Sequence, residues 1–243
     1  MTSILGTFSA DNLTGDSLSN TIFGLAGNDN LSGFTGDDTI NGNQGTDTLS
    51  GDEGNDVLFG GQDDDVIYGG FDFLDSIGGG NDLLFGNLGN DFLLGEQGND
   101  SVFGGQGDDN ISGGLGNDLV SGDVGNDAVF GVDLLALNPG SGEVDTLTGG
   151  VGSDFFYIGD DLINYYTGAG NDDYALITDF NQLEFDAIIV HINDTYSLNN
   201  LTLPNAVTGT GIFLTTGGQN ELIGFVQGID ASRLNFSLDF LRI

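Results

Sequence analysis

The chain has 243 residues, with 38 Asp and Glu against two basic residues, a formal charge of −36 at pH 7, 44 glycines and no cysteine. That charge excludes nucleic acid and anionic membrane surfaces as partners, and the lack of cysteine excludes disulfides, zinc thiolate sites and thiol chemistry. Prolines stand only at positions 139 and 204, so the glycines are neither collagenous nor a proline-rich linker, and self-repulsion on this scale asks for cations.

Residues 1–9 read as an N-terminal cap strand. The segment Met1–Phe8 has no basic region or long apolar stretch, and no run of about 18 apolar residues follows, so neither a cleaved signal nor a membrane span is visible.

From residue 10 to 174 the chain falls into nine-residue units, as in Asn28-Asp-Asn-Leu-Ser-Gly-Phe-Thr-Gly36. The unit's aspartate recurs at Asp29, Asp38, Asp47, Asp56 and Asp65. After an insertion it returns at Asp82, Asp91, Asp100, Asp109, Asp118 and Asp127, and Asp145, Asp154 and Asp172 close the series. Each unit carries one aliphatic anchor: Leu31, Ile40, Leu49, Leu58 and Ile67, then Leu84, Leu93, Val102, Ile111, Val120 and Val129. One such residue in nine is too sparse for an amphipathic helix. It suits a three-residue strand whose middle side chain points inward. Turn, strand, turn, strand makes a flattened coil of eighteen residues. Seven or eight such coils, stacked about 4.8 Å apart, give a rod roughly 35 Å long.

The turns read Gly-x-x-Gly-Asn/Asp-Asp, as in Gly95-Glu-Gln-Gly-Asn-Asp100. Glycine permits positive φ, so carbonyls can turn toward a common point while the aspartate supplies a negative oxygen. An all-oxygen, carbonyl-rich set suits Ca²⁺ ahead of Mg²⁺. Stacking brings Asp29 near Asp47 and Asp38 near Asp56, where a dication would relieve their repulsion.

Units such as Gly104-Gly-Gln-Gly-Asp-Asp-Asn-Ile-Ser112 and Gly113-Gly-Leu-Gly-Asn-Asp-Leu-Val-Ser121 resemble the G-G-x-G-x-D-x-U-x nonapeptide of repeats-in-toxin (RTX, haemolysin-type) proteins. The resemblance implies an all-β fold, a parallel β-roll or β-solenoid binding many Ca²⁺ ions, roughly a dozen. It also implies that the aspartates above are ligands together with the carbonyls of Gly27, Gly36, Gly45, Gly54, Gly89, Gly98, Gly107, Gly116, Gly125 and Gly152. The second glycine of the motif is replaced by Leu25, Phe34, Asn43, Asp52, Asn87, Glu96 and Asp123, with Leu25 and Phe34 marking the poorest turns. Asn20 stands where an aspartate belongs, and Asp63 where a glycine does.

The register breaks near 71–80, at Phe71-Asp-Phe-Leu-Asp-Ser-Ile77, and near 131–144, at Val132-Asp-Leu-Leu-Ala-Leu-Asn-Pro-Gly140. Both insertions are apolar and read as loops packed on the roll, with partner binding as the alternative. Residues 175–243 lose the glycine period and read as a small β-rich C-terminal cap. Their β-branched segments are Asp186–Ile192, Gly211–Thr216 and Glu221–Val226, with a hairpin turn at Gly217-Gly-Gln-Asn220 between the last two. Ile177-Thr-Asp-Phe-Asn181 and the ending Leu238-Asp-Phe-Leu-Arg-Ile243 resemble the region after the repeats in type I secreted proteins, cyanobacterial ones especially, which implies the type I secretion machinery as a partner.

His191 is the only histidine, and there is no G-x-S-x-G elbow, Walker lysine or EF-hand loop. The expectation is a non-enzyme: a secreted, extracellular or cell-surface Ca²⁺-binding structural protein that folds on Ca²⁺ binding, with self-assembly or a surface polysaccharide or protein as further partners. A Ca²⁺-responsive export and folding module attached to an effector enzyme is the second reading. An epimerase or lyase using Tyr165, Tyr166 and Tyr174 is the third.

Overall fold

The computed structural model describes residues 2–70, 79–133, 139–160, 162–216 and 218–242. Within them the chain winds through the repeats in half-coils, each adding one strand alternately to two sheets. One sheet has twelve strands and the other ten among the described residues. Pairing in the repeats is parallel at a separation of eighteen residues: Ile22 opposes Ile40, which opposes Leu58, and Leu31 opposes Leu49, which opposes Ile67. The strand Thr2–Leu5 is already part of this winding, with Ile4 opposite Ile22.

The structure is thus a parallel β-roll, and the period of the sequence explains it. An inward aliphatic side chain every ninth residue gives each half-coil one core contribution. Every anchor from Ile22 to Val129 is completely buried, and Leu147, Phe156, Ile177 and Ile188 continue the file. Full burial of one such side chain contributes about 1.5–3 kcal/mol, so the core is a one-residue-wide column repeated along the rod.

Strands in the middle of the roll are six residues long rather than three, as in Val57–Gln62, Leu83–Leu88 and Ser101–Gln106. They lengthen because residues in the glycine turn also pair, Gly105 with Asn87 and Gln106 with Leu88. On the outer face of the twelve-stranded sheet Phe59, Phe85 and Phe103 stack at 5.1 and 5.2 Å.

At the two insertions the separation between paired residues jumps to 26, Val57 to Leu83, and to 27, Leu119 to Thr146. The residues on either side of each insertion pair as consecutive rungs. Phe71–Ile77 lies outside the described residues, as do residues 134–138 of the second insertion. The ends of that insertion pack on the roll: Val132 is buried opposite Gly114, and the Pro139 carbonyl accepts the Tyr166 N–H.

Beyond the repeats the strands Tyr174–Ile177 and Ala187–Val190 extend the two sheets in parallel, so the boundary expected after residue 174 falls inside a strand. Gln219–Gln227 then joins Tyr174–Ile177 in parallel and begins an antiparallel run with Thr208–Thr216 and Tyr196–Thr202. Phe240–Arg242 adds to Ala187–Val190 on the other sheet. No helix among the described residues is long and apolar enough to cross a membrane.

Candidate metal centres

All ten of the expected turn glycines adopt positive φ, from 108° at Gly36 to 156° at Gly125. At Gly107 the requirement is steric as well as torsional, because a Cβ there would collide with the carbonyl of Gly89 one coil back. The second turn position also has positive φ where no glycine is present, 84° at Leu25 and 81° at Phe34. The stacked neighbours impose the turn on residues that disfavour it, at a cost of about 1–2 kcal/mol each.

These turns aim the aspartates inward and over one another in two columns. In the first, the Asp11 N–H donates to Oδ1 of Asp29, and the pattern repeats through Asp47, Asp65, Asp91, Asp109, Asp127, Asp154 and Asp186 at 2.7–3.1 Å. The second runs from the Asn20 N–H to Asp38 and on through Asp56, Asp82, Asp100, Asp118 and Asp145 at 2.6–2.9 Å. Each interior aspartate therefore has Oδ1 satisfied by a main-chain amide.

Oδ2 differs between the ends and the interior. Among the described residues twelve aspartates have a fully buried Oδ2 with no hydrogen-bond partner: Asp29, Asp38, Asp47, Asp56, Asp65, Asp82, Asp91, Asp100, Asp109, Asp118, Asp127 and Asp154. They are the interior rungs of the two columns. At the four ends the protein itself closes the position. Thr7 donates to Asp11 Oδ2, Asp16 N–H donates to Asn20 Oδ1, the Tyr166 hydroxyl donates to Asp145 Oδ2 at 2.6 Å, and Asn181 N–H donates to Asp186 Oδ2 at 2.7 Å.

A buried carboxylate oxygen with no donor costs free energy in its charged form. Accordingly burial, partly offset by the amide from the preceding coil, pushes Asp38, Asp47, Asp91, Asp127 and Asp154 up to about 6 and Asp56, Asp82, Asp100 and Asp109 to about 7. Asp65 and Asp118 rise to about 8, with the charges of Asp91 and Asp145 respectively adding to burial. Each Oδ2 also faces a glycine, the one five residues before it except at Asp82, which faces Gly69 across the first insertion, and, at most rungs, the carbonyl of the stacked glycine: Asp109 Oδ2 and the Gly122 carbonyl both crowd the space beside Gly104. Hence an anionic oxygen and carbonyl oxygens share a space that no side chain can fill, which fits a hard cation. No three His, Asp or Glu side chains converge on one point among the described residues. Each place thus offers a turn's carboxylate with main-chain carbonyls.

Of the expected aspartates, all but Asp172 fall on these columns. Asp145 is on its column, but its second oxygen is already taken by Tyr166. Asp172 is exposed and off the columns, the buried neighbour being Asp173, and Ala175 occupies the rung after Asp145. Asp186 and Asp11 were not among the expected residues although both lie on the first column. Asp186 stands two residues before the inward Ile188, the spacing of every repeat, but no glycine turn precedes it.

A second ladder runs on the outside of the turns with opposite polarity. Asn99 N–H donates back to Asn81 Oδ1 at 2.6 Å, Asn117 N–H to Asn99 Oδ1 at 2.7 Å, and Asn126 N–H to Asp108 Oδ1 at 2.8 Å. The Asn preceding so many of the aspartates is its signal in the sequence. His191 Nδ1 pairs with Asp194 at 2.7 Å, and the His191 carbonyl accepts the Tyr196 hydroxyl, so this group ties a loop together. Tyr165 and Tyr166 are core residues.

The fold and the paired columns define a parallel β-roll built to hold cations at its turns. The model of the RTX calcium-binding nonapeptide repeat matches in four copies, at residues 14–49, 41–73, 76–111 and 103–132. Within residues 14–132 the chain thus carries RTX nonapeptide repeats, a repeat type that binds Ca²⁺. Among solved structures it is similar to the solution structure of the AlgE6R3 subunit from the Azotobacter vinelandii mannuronan C5-epimerase. The identity is 17%, over 97% of this chain and 80% of that one, with a TM-score of 0.25. None of the curated proteins matches the chain.

Proposed function

We propose that this protein is an extracellular, Ca²⁺-dependent structural or cell-surface β-roll with no catalytic role of its own, exported unfolded and folded by the ions it meets outside. The observation that carries this reading is the set of twelve buried aspartate oxygens without a donor. Without cations those rungs hold like charges stacked one coil apart. With a cation at each, about a dozen ions bring about +24 and leave the chain near −12.

Because the binding places exist only when coils are stacked, cation binding and folding are one equilibrium. A chain kept open where Ca²⁺ is scarce is a suitable cargo for type I secretion, and the export-like resemblance of Ile177–Asn181 and of the C-terminal ending supports that route.

The test is far-UV circular dichroism of the metal-free chain through a Ca²⁺ titration, with Mg²⁺ at equal ionic strength as control. A cooperative gain of β signal with Ca²⁺ alone, with many ions bound at saturation, is expected. A chain equally folded in chelator or in Mg²⁺ would reduce the columns to surface charge.

A further inference from the structure

In a regular coil the N–H of the turn's second glycine donates to a main-chain carbonyl on the next coil, Gly98 to Leu115 and Gly107 to Val124, both at 2.9 Å. At Gly116 the second insertion removes that carbonyl, and Oε1 of Glu143 accepts the N–H instead, at 3.0 Å. This substitution leaves Oε2 of Glu143 buried with no partner.

The next rung carries a matching group. Val144 is paired with Tyr174, and the Tyr174 N–H donates to the Glu143 carbonyl at 3.1 Å, so residues 143 and 173 sit side by side on adjacent rungs. Asp173 is completely buried. Its Oδ2 accepts the N–H groups of Gly142 and Ala169 at 3.3 and 3.2 Å, whereas its Oδ1 has no partner. Burial raises both carboxyls, and the charges of Asp133 and then Asp173 add to the rise at Glu143, as that of Glu221 does at Asp173. The sequence has no lysine, and the only ion pair among the described residues is the distant His191–Asp194 contact.

We propose that Glu143 and Asp173 form a further Ca²⁺ site, outside the nonapeptide register, where the second insertion rejoins the roll. Two carboxylates held by main-chain amides at one oxygen, and left without a donor at the other, are the chemistry of a hard dication. The site rests on the reading of the roll as Ca²⁺-binding. It differs from the repeats in using two side-chain carboxylates rather than one with turn carbonyls, and it ties the insertion to the strand that follows.

Glu143→Gln keeps the acceptor for Gly116, and Asp173→Asn keeps the acceptor for Gly142, so each removes charge without removing the scaffold. Bound Ca²⁺ is counted in the full chain and both variants, and Tb³⁺ emission is excited through tyrosine, since Tyr174 adjoins Asp173 and the chain has no tryptophan. Each variant is expected to bind one ion fewer and to lose the part of the Tb³⁺ emission that Tyr174 sensitises, while the part sensitised by Tyr166 at the end of the second column stays, with the Ca²⁺-saturated circular dichroism unchanged. Asp29→Asn, at the far end of the roll, should lose an ion while keeping that emission. Wild-type ion count and emission in both variants would overturn this site and leave the repeats standing, whereas a wild-type chain that takes up no Ca²⁺ overturns both readings.

Discussion

The hydroxyl of Tyr166 donates to Oδ2 of Asp145 at 2.6 Å, and that one bond separates Asp145 from Asp118, the rung before it, whose Oδ2 has no donor. A fully buried phenol thus ends the second column with a group the chain carries itself. Tyr166→Phe strands a buried carboxylate oxygen. It should lower the stability of the Ca²⁺-loaded protein by about 1–3 kcal/mol, read from urea unfolding at saturating Ca²⁺. An unchanged midpoint would show that Asp145 finds its partner elsewhere.

The pH dependence of the metal-free chain follows from the raised aspartates. Their folded values of about 6 to 8 stand above the ordinary 3.8, so the folded state binds protons more tightly than the unfolded one. The stability this confers is fully present below about pH 3.8 and is lost as pH rises through 6 to 8. In chelator, β structure should therefore increase on acidification from pH 8 to pH 4, while Ca²⁺ affinity falls over the same range because protons compete for the same oxygens. Circular dichroism in chelator that is flat across this range would contradict the burial of the columns.

Removing an anchor should be costly because nothing else fills its place in a one-residue-wide core. Leu58→Ala is expected to destabilise the Ca²⁺-bound roll by about 2–5 kcal/mol. Leu88→Ala, where the side chain is 43% exposed, should change stability by less than about 0.5 kcal/mol. Equal effects at the two positions would refute the inward assignment of Leu58.

Turn backbone predicts effects of opposite sign. Gly107→Ala introduces a collision with the Gly89 carbonyl at φ 131°, and should weaken Ca²⁺-induced folding markedly. Phe34→Gly relieves a left-handed residue whose ring is 54% exposed, and should stabilise the Ca²⁺-bound state by about 0.5–1 kcal/mol. Denaturation midpoints at saturating Ca²⁺ decide both, and a stabilising Gly107→Ala would mean that the turn is not as described.

The roll was legible in the sequence because each nonapeptide repeats the same local instruction, so the anchors from Leu31 to Val129 could be placed inward one by one. Where the instruction stops, legibility stops with it. Around residue 172 the register counted from the glycines selects Asp172, but the turn from Gly168 delivers Asp173 inward and Ala175 to the next rung. Asp186 was hidden for the converse reason, since it keeps the spacing to Ile188 but lacks the glycines that mark a turn. The strands overlapping Asp186–Ile192, Gly211–Thr216 and Glu221–Val226 could be read from β-branched residues. That Gln219–Gln227 would lie beside Tyr174–Ile177 could not, because a pairing across some fifty residues leaves no local trace.

The aspartate columns have a polarity that the coils, taken singly, lack. Every amide reaches forward, from Asp82 to Asp100 and from Asp100 to Asp118, and every carboxylate is held from behind. A cut between any two coils would therefore expose unlike faces, bare amides on the N-terminal piece and unheld carboxylates on the C-terminal piece. Two such faces can mate head to tail but not with copies of themselves, so the interior of the rod carries an arrow, and Thr7, Asp16, Tyr166 and Asn181 are the points at which its ends are closed.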